Sequence, residues 1–202
     1  MAELLLVSWM IGIIYSSIPL FWFVIHPLVQ RWRRMRRSPY RILLPLWFVI
    51  MAVLGVVTWP WHSALLYSVP WTRMIAAPFV FLALKIYARI RPEFGVTNFI
   101  GETELRPEQH QQKLIITGLH AHMRHPIYLA HLCMFCGWTI FSGLFINFVL
   151  LAIGTLITFP LMIIMEEKEL VKRFGQAYRD YQRTVPLVPF IWKRTWRNEE
   201  TA

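Results

Sequence analysis

RHPIYLAHLCMFCGWTIFSGLFINFVLLAIGTLITFPLMIIMEEKEL, running from Arg124 to Leu170, is the stretch whose reading decides the fold. Residues 127–165 contain no Asp, Glu, Lys or Arg, and the strongest polarity break inside them is Ser142-Gly143. A single membrane helix needs roughly 20 apolar residues. A longer run with a turn signal near its middle reads as a helical hairpin. A hairpin returns to the side it left, so Arg124-His125 and Glu166-Glu167 are expected to meet at one membrane surface. Charged and titratable groups gathered at a membrane boundary mark a candidate functional site.

The rest of the chain fits that setting. Hydrophobic residues make up 56% of the 202 positions and charged residues 16%, against about one quarter charged in a soluble domain. Mean hydropathy is +0.45, and ten Trp suit interfacial ring positions. The length suits one domain. Cys133 and Cys136 lie in an apolar segment without a thioredoxin-like context and read as small packed side chains, not a disulfide or redox pair. The net charge of +10 does not point to nucleic acid. Arg31, Arg33, Arg34, Arg36, Arg37 and Arg41 fall in one short connection between apolar segments, where such a cluster sets topology and touches anionic lipid headgroups. The N-terminus carries Glu3 instead of a basic leader, and its apolar run is long enough to remain as an anchor.

Five spans are expected, at about 4–28, 42–60, 69–90, 127–141 and 144–165. Pro19 and Pro160 offer kinks in the first and fifth. Trp59-Pro60-Trp61 forms an aromatic belt at the far surface, and Lys85 snorkels near the end of the third span. The fourth span is short, which places the hairpin tip below the far surface. With the N-terminus outside and the C-terminus in the cytoplasm, every Lys and Arg except Arg73 is cytoplasmic, as the positive-inside rule requires. The expected fold is therefore an all-α integral membrane protein of one domain. Residues 1–91 hold three spans, 92–125 a cytoplasmic loop, and 126–202 the hairpin and a C-terminal amphipathic helix. Within the loop, Phe94-Gly95, Gly101-Glu102 and Pro107 are followed by Leu114 to Gly118, a stretch expected to lie extended beneath the hairpin. Residues 166–183 read as one amphipathic helix, with Leu170, Val171, Phe174, Ala177, Tyr178 and Tyr181 at helical spacings. Pro186 and Pro189 end it, and Trp192 and Trp196 are expected to return to the membrane surface.

His120, His122 and His125 precede a helix that opens on Pro126, a residue suited to the first turn. The free N–H groups of such a helix favour a carboxylate or phosphate, and Arg124 adds a bidentate partner. The same side chains also suit lipid headgroups. Glu166 and Glu167 suit a cationic ligand, sugar hydroxyls or Arg124; alternatively they form surface ion pairs with Lys168, Lys172 and Arg173.

The segments LIITGLHAHMRHPIYL, EEKEL, FGQAY, DY and VPLVPF, between Leu114 and Phe190, resemble the isoprenylcysteine carboxyl methyltransferase family of integral membrane methyltransferases, and more distantly the phospholipid N-methyltransferases. The resemblance implies S-adenosylmethionine as methyl donor, bound at the cytoplasmic end of the hairpin. It implicates Arg124, His125 and Glu167 in catalysis. It implies donor contacts from Leu114, Ile116, Gly118, Leu119, His120, His122, His125, Tyr128, Glu166, Glu167 and Tyr178, with Phe174, Tyr178 and Tyr181 packing the C-terminal helix over the donor. Two positions depart from the family pattern. His120 stands where an aromatic residue is usual. Met162 stands where prenylcysteine methyltransferases carry an arginine for the acceptor carboxylate, so a prenylcysteine carboxylate is not the expected acceptor.

The expected acceptor is lipophilic or small and hydrophobic, with an oxygen, sulfur or nitrogen atom receiving the methyl group; membrane lipids are the other partner. The bacterial cytoplasmic membrane is favoured over the endoplasmic reticulum. Two other readings stay open: a metal or haem protein using His120, His122, His125 and His131, and a non-catalytic member of the fold. Clustered spaced His motifs of membrane di-iron enzymes are missing, and no metal is expected.

Overall fold

The computed structural model describes residues 2–69, 71–106, 108–109 and 113–188. Pro107, Pro189, Trp192 and Trp196, which figured in the expectations above, lie outside the described residues. Among the described residues the chain is helical, and the one β-type pairing is a bridge between Leu65 and Leu144.

Helix α1 spans Ala2–Arg33 and continues through Pro19 and Pro27, so the helix carries Arg31 and Arg33 beyond the apolar span. Helix α2, Tyr40–Thr58, buries only Leu43 and Thr58. Its other faces present Phe48, Val53, Val56 and Val57 outward. That much exposed apolar surface suits lipid, not water. Polar side chains tie α1 to its neighbours, as they do between membrane helices. Trp9 Nε1 donates to Thr58 Oγ1 at 2.9 Å and Trp47 Nε1 donates to Ser17 Oγ at 2.8 Å. Trp59 to Trp61 form a 3-10 turn after α2, with both indoles exposed.

Helix α3 is Thr72–Phe99, longer than the expected third span, with a non-helical break at Gly95. The first part of the expected 92–125 loop is thus helical. After it comes α4, a single turn at Glu102–Leu105. Residues 113–116 carry no helix, and Gly118–Ala121 form a 3-10 turn.

The hairpin is present. Helix α5, Pro126–Ser142, ends on Gly143, whose φ of +67° is the left-handed turn that glycine adopts without strain. The return arm begins as α6, Phe145–Ile153. Ala64 O accepts from Phe145 N–H and Gly143 O accepts from Leu66 N–H, both at 2.8 Å, which pins the hairpin tip to the α2–α3 connection. A π-helical turn at Gly154–Thr158 leads into α7, Phe159–Phe174. Pro160 lacks the N–H that would continue the regular ladder, and the wide turn stands directly before it.

Residues 166–183 do not form one helix. α7 carries the return arm through Glu166 and Glu167 to Phe174 without a break, because the polar residues there are good helix formers. Gly175 (φ +59°, ψ −129°) then turns the chain into α8, Gln176–Thr184. Among the described residues, three segments are long and apolar enough to cross a membrane: Ala2–Arg33, Tyr40–Trp61 and Phe145–Phe174. α5 is a shorter apolar helix, and α3, which carries Arg73, Lys85 and Arg89, packs along it. Cys133 and Cys136 are both free thiols.

Candidate functional site

The hairpin brings the two bracketing motifs together. Arg124 donates from Nε to Glu167 Oε1 at 2.6 Å and from Nη2 to Glu167 Oε2 at 3.3 Å. Its Nη1 donates to the carbonyls of Val185 at 2.5 Å and Gln182 at 3.2 Å. Glu167 also accepts from Gln182 Nε2 at 3.0 Å and from the Tyr178 hydroxyl at 3.4 Å. The guanidinium fork thus locks α8 and the chain after it onto the hairpin mouth. Backbone pairing reinforces the lock. Arg124 N–H donates to Pro186 O at 3.0 Å and His125 N–H to Leu187 O at 3.4 Å.

His125 precedes α5 and is clamped between the carboxylates. Its Nε2 lies 3.1 Å from Glu167 Oε1 and its Nδ1 3.3 Å from Glu166 Oε2. Burial alone would push the imidazole toward neutrality, but Glu166 and Glu167 outweigh it and raise the His125 pKa to about 9. His125 is therefore a cation at neutral pH, stacked on the Tyr128 ring at 5.3 Å between centroids. His120, 6% exposed, behaves oppositely: burial, with the nearby positive His125, lowers its pKa to about 4. Burial raises the Tyr178 phenol pKa, helped by the Glu167 and Glu166 charges.

This cluster forms one wall of an open cavity of about 1060 Å³, counting the part continuous with solvent. His120, Arg124, His125, Tyr128, Glu166 and Tyr178 line it, as does Leu114. Glu167 does not; it stands behind the wall, engaged by Arg124, His125, Tyr178 and Gln182. Ile116 and His122 are exposed. Leu119 packs with Ile86, Ile90 and Ala130, away from the cavity, and Gly118 opens the 3-10 turn. Leu114 joins the apolar cluster of Tyr178, Tyr181 and Val185, with Leu170 and Phe174 against it. Met162 is fully buried in α7. Among the described residues no group of three or more His, Cys, Asp and Glu side chains is placed to hold a metal ion.

A second charged cluster adjoins the cavity, and nothing in the sequence reading pointed to it. His26 Nδ1 lies 3.1 Å from Glu104 Oε1. Arg33 donates to Glu169 Oε1 at 3.0 Å and to Glu104 O at 2.9 Å. Arg173 pairs with Glu169 at 2.5 Å and approaches Glu104 at 3.6 Å. Glu104 and Arg173 line the cavity beside Trp22, which stacks on His26 at 5.1 Å. Arg173 therefore pairs with Glu169 and not with Glu166 or Glu167. The available signal was His26 itself, an ionisable side chain inside an apolar span.

A family model described as phospholipid methyltransferase matches residues 73–177, from the first turn of α3 to the start of α8. No curated protein and no solved structure matches the chain. The matched region covers more than half of the 202 residues and includes both bracketing motifs. It also takes in α3, which the motif resemblance from Leu114 onward had left out. The chain belongs to the phospholipid methyltransferase family.

Proposed function

We propose that this protein is a membrane-embedded methyltransferase that takes its methyl group from S-adenosylmethionine and gives it to a lipophilic acceptor. The observation that carries this reading is the ionic cage in which Arg124, His125 and Glu166 line an open cavity at the hairpin mouth and Glu167 stands behind them.

The cavity chemistry fits the donor. Glu166 lines the cavity with its Oε2 3.3 Å from His125 Nδ1, and its carboxylate suits an ammonium, a sulfonium field or a ribose hydroxyl. Leu114, Ile115, Leu170 and Phe174 supply apolar lining suited to a purine. Arg173 and Lys113 supply cations for the donor's carboxylate. When bound, S-adenosylmethionine supplies an electrophilic methyl on a positively charged sulfur. The protein's part is to align donor and acceptor and to keep water out. Arg124 acts here as a positioning residue: its guanidinium is engaged by Glu167 and two carbonyls, so it fixes Glu167 and through it His125. His120, neutral at pH 7, adds polarity without charge.

The acceptor arrives from the bilayer. Met162 puts no cation one turn before the acidic pair, so an amine, thiol or lipid headgroup suits the site better than a carboxylate. We place five crossings in the membrane, with α3 and α5 crossing together as a packed pair, the N-terminus outside and the site in the cytoplasm. Calorimetry on purified protein in detergent tests the first step. S-adenosylmethionine should bind in the micromolar range, and Glu166→Ala should weaken it at least about tenfold, as expected for a charge-assisted hydrogen bond. Absence of binding to the wild type sinks the reading.

A further inference from the structure

Of the six arginines expected to face lipid headgroups, one is turned inward. Arg31, Arg34, Arg36, Arg37 and Arg41 are exposed, whereas the Arg33 side chain is only 18% exposed. It is the last residue of α1 and stands outside the matched residues 73–177. A topology signal needs a positive charge near the surface and no fixed partner. Arg33 has two fixed partners. Its Nη2 donates to Glu169 Oε1 at 3.0 Å, and its Nε donates to the Glu104 carbonyl at 2.9 Å.

Glu169, on α7 and 7% exposed, receives a second guanidinium. Arg173 donates from Nε to its Oε1 at 3.1 Å and from Nη2 to its Oε2 at 2.5 Å. This side-on fork sets the plane of the Arg173 guanidinium. On a free helix surface an i, i+4 pair of this kind is loose and contributes little. Here Arg33 reaches across from α1 to the same carboxylate and holds it in place. Glu104 Oε2 stands 3.6 Å from Arg173 Nη2, beyond hydrogen-bond reach, and its Oε1 is taken by His26. Among the described residues nothing engages Arg173 Nη1. Yet Arg173 lines the cavity, with its side chain 12% exposed. An arginine anchored by one edge at a cavity wall, with a nitrogen to spare, is placed to receive an oxyanion.

We infer that Arg33 is a positioning residue for the methyl donor: acting through Glu169, it fixes Arg173 so that Nη1 receives the donor's carboxylate. The inference rests on the methyltransferase reading, in which S-adenosylmethionine brings that carboxylate into the cavity. Arg33 itself does not line the cavity. It acts as the outer partner of a ligand-binding side chain does, by restricting the rotamers of the group that touches the ligand. The first span thereby takes part in donor binding, although the matched residues begin only at α3.

The test is calorimetry on the full-length protein in detergent with two ligands, S-adenosylmethionine and its decarboxylated analogue. The two differ only in the carboxylate. Wild type should prefer S-adenosylmethionine about tenfold or more, as expected for a charge-assisted hydrogen bond. Arg173→Gln should abolish that preference. Arg33→Gln should weaken S-adenosylmethionine about tenfold. Neither variant should weaken the decarboxylated analogue, which also shows that both fold. In the Arg173→Gln background, Arg33→Gln should cost less than about twofold, because the two residues act as one unit. A purely structural role for Arg33 would weaken both ligands alike and would add fully to Arg173→Gln. Either of those results, or an unchanged S-adenosylmethionine affinity in Arg33→Gln, would overturn the inference. A wild type that binds neither ligand removes the methyltransferase reading and the inference with it. A wild type that binds both equally removes the inference alone.

Discussion

Arg124 engages its guanidinium with Glu167 and with the carbonyls of Gln182 and Val185. Lysine keeps the charge but has no planar fork. Arg124→Lys is expected to lower donor affinity about tenfold or more and to lower Tm, read by calorimetry and by thermal unfolding; unchanged values for both would show that charge alone suffices. His125 makes a pH prediction. Its folded pKa of about 9 lies above the ordinary value of about 6.5. The stability from its protonated pairing with Glu166 and Glu167 is thus fully present below about pH 6.5 and lost as pH rises through about 9. Thermal melts across that window should slope downward in the wild type and flatten in His125→Gln. The Arg124–Glu167 meeting was legible in the sequence because a hairpin forces it. The His26–Glu104 and Arg33–Glu169 pairs were not, since lone charges on distant segments carry no spacing that announces a partner. Ile116 and His122 are exposed and do not line the cavity, because adjacent positions in a short extended run and around a 3-10 turn point different ways, and motif membership does not say which.

Between α7 and α8 the geometry hangs on Gly175, whose backbone (φ +59°, ψ −129°) lies in a region only glycine adopts freely. No atom crowds a Cβ there, so Gly175→Ala would act through backbone strain alone, of order 1–3 kcal/mol. The expected outcome is an α8 displaced from the hairpin mouth, with Tyr178 and Gln182 withdrawn from Glu167. Methyl transfer and donor binding should fall, while the spans stay folded; protease cleavage near residue 176 should become faster. If cleavage and affinity match wild type, the corner is not what seats α8. The hairpin and its turn at Gly143 were readable from hydropathy and one Ser-Gly pair. The end of the return arm was not, because hydropathy reports where the apolar run stops and the helix continues past it for more than two turns. The same confusion hid the extension of α3 to Phe99 inside a supposed loop.

Across the whole molecule, the basic residues argue for one orientation, and the packing of α3 on α5 argues that both cross together. Cysteines placed near residue 2 should react with a membrane-impermeant maleimide from outside, and one at position 113 only after permeabilisation. Neutralising Arg31, Arg33, Arg34, Arg36, Arg37 and Arg41 together should send part of the population in inverted; an unaltered labelling pattern would mean that the remaining Lys and Arg residues set the orientation. Composition made the membrane legible at once, but only the three-dimensional arrangement reveals that α1 contributes Trp22 to the cavity wall from the opposite end of the chain. The carbonyls of Pro186 and Leu187 that receive Arg124 and His125 have a consequence for biosynthesis. Both motifs and all the helices up to α8 are made before these carbonyls, so a nascent chain stalled before residue 185 would hold every ionic partner of the cage and still lack the backbone pairing that ties Arg124 and His125 to the segment after α8.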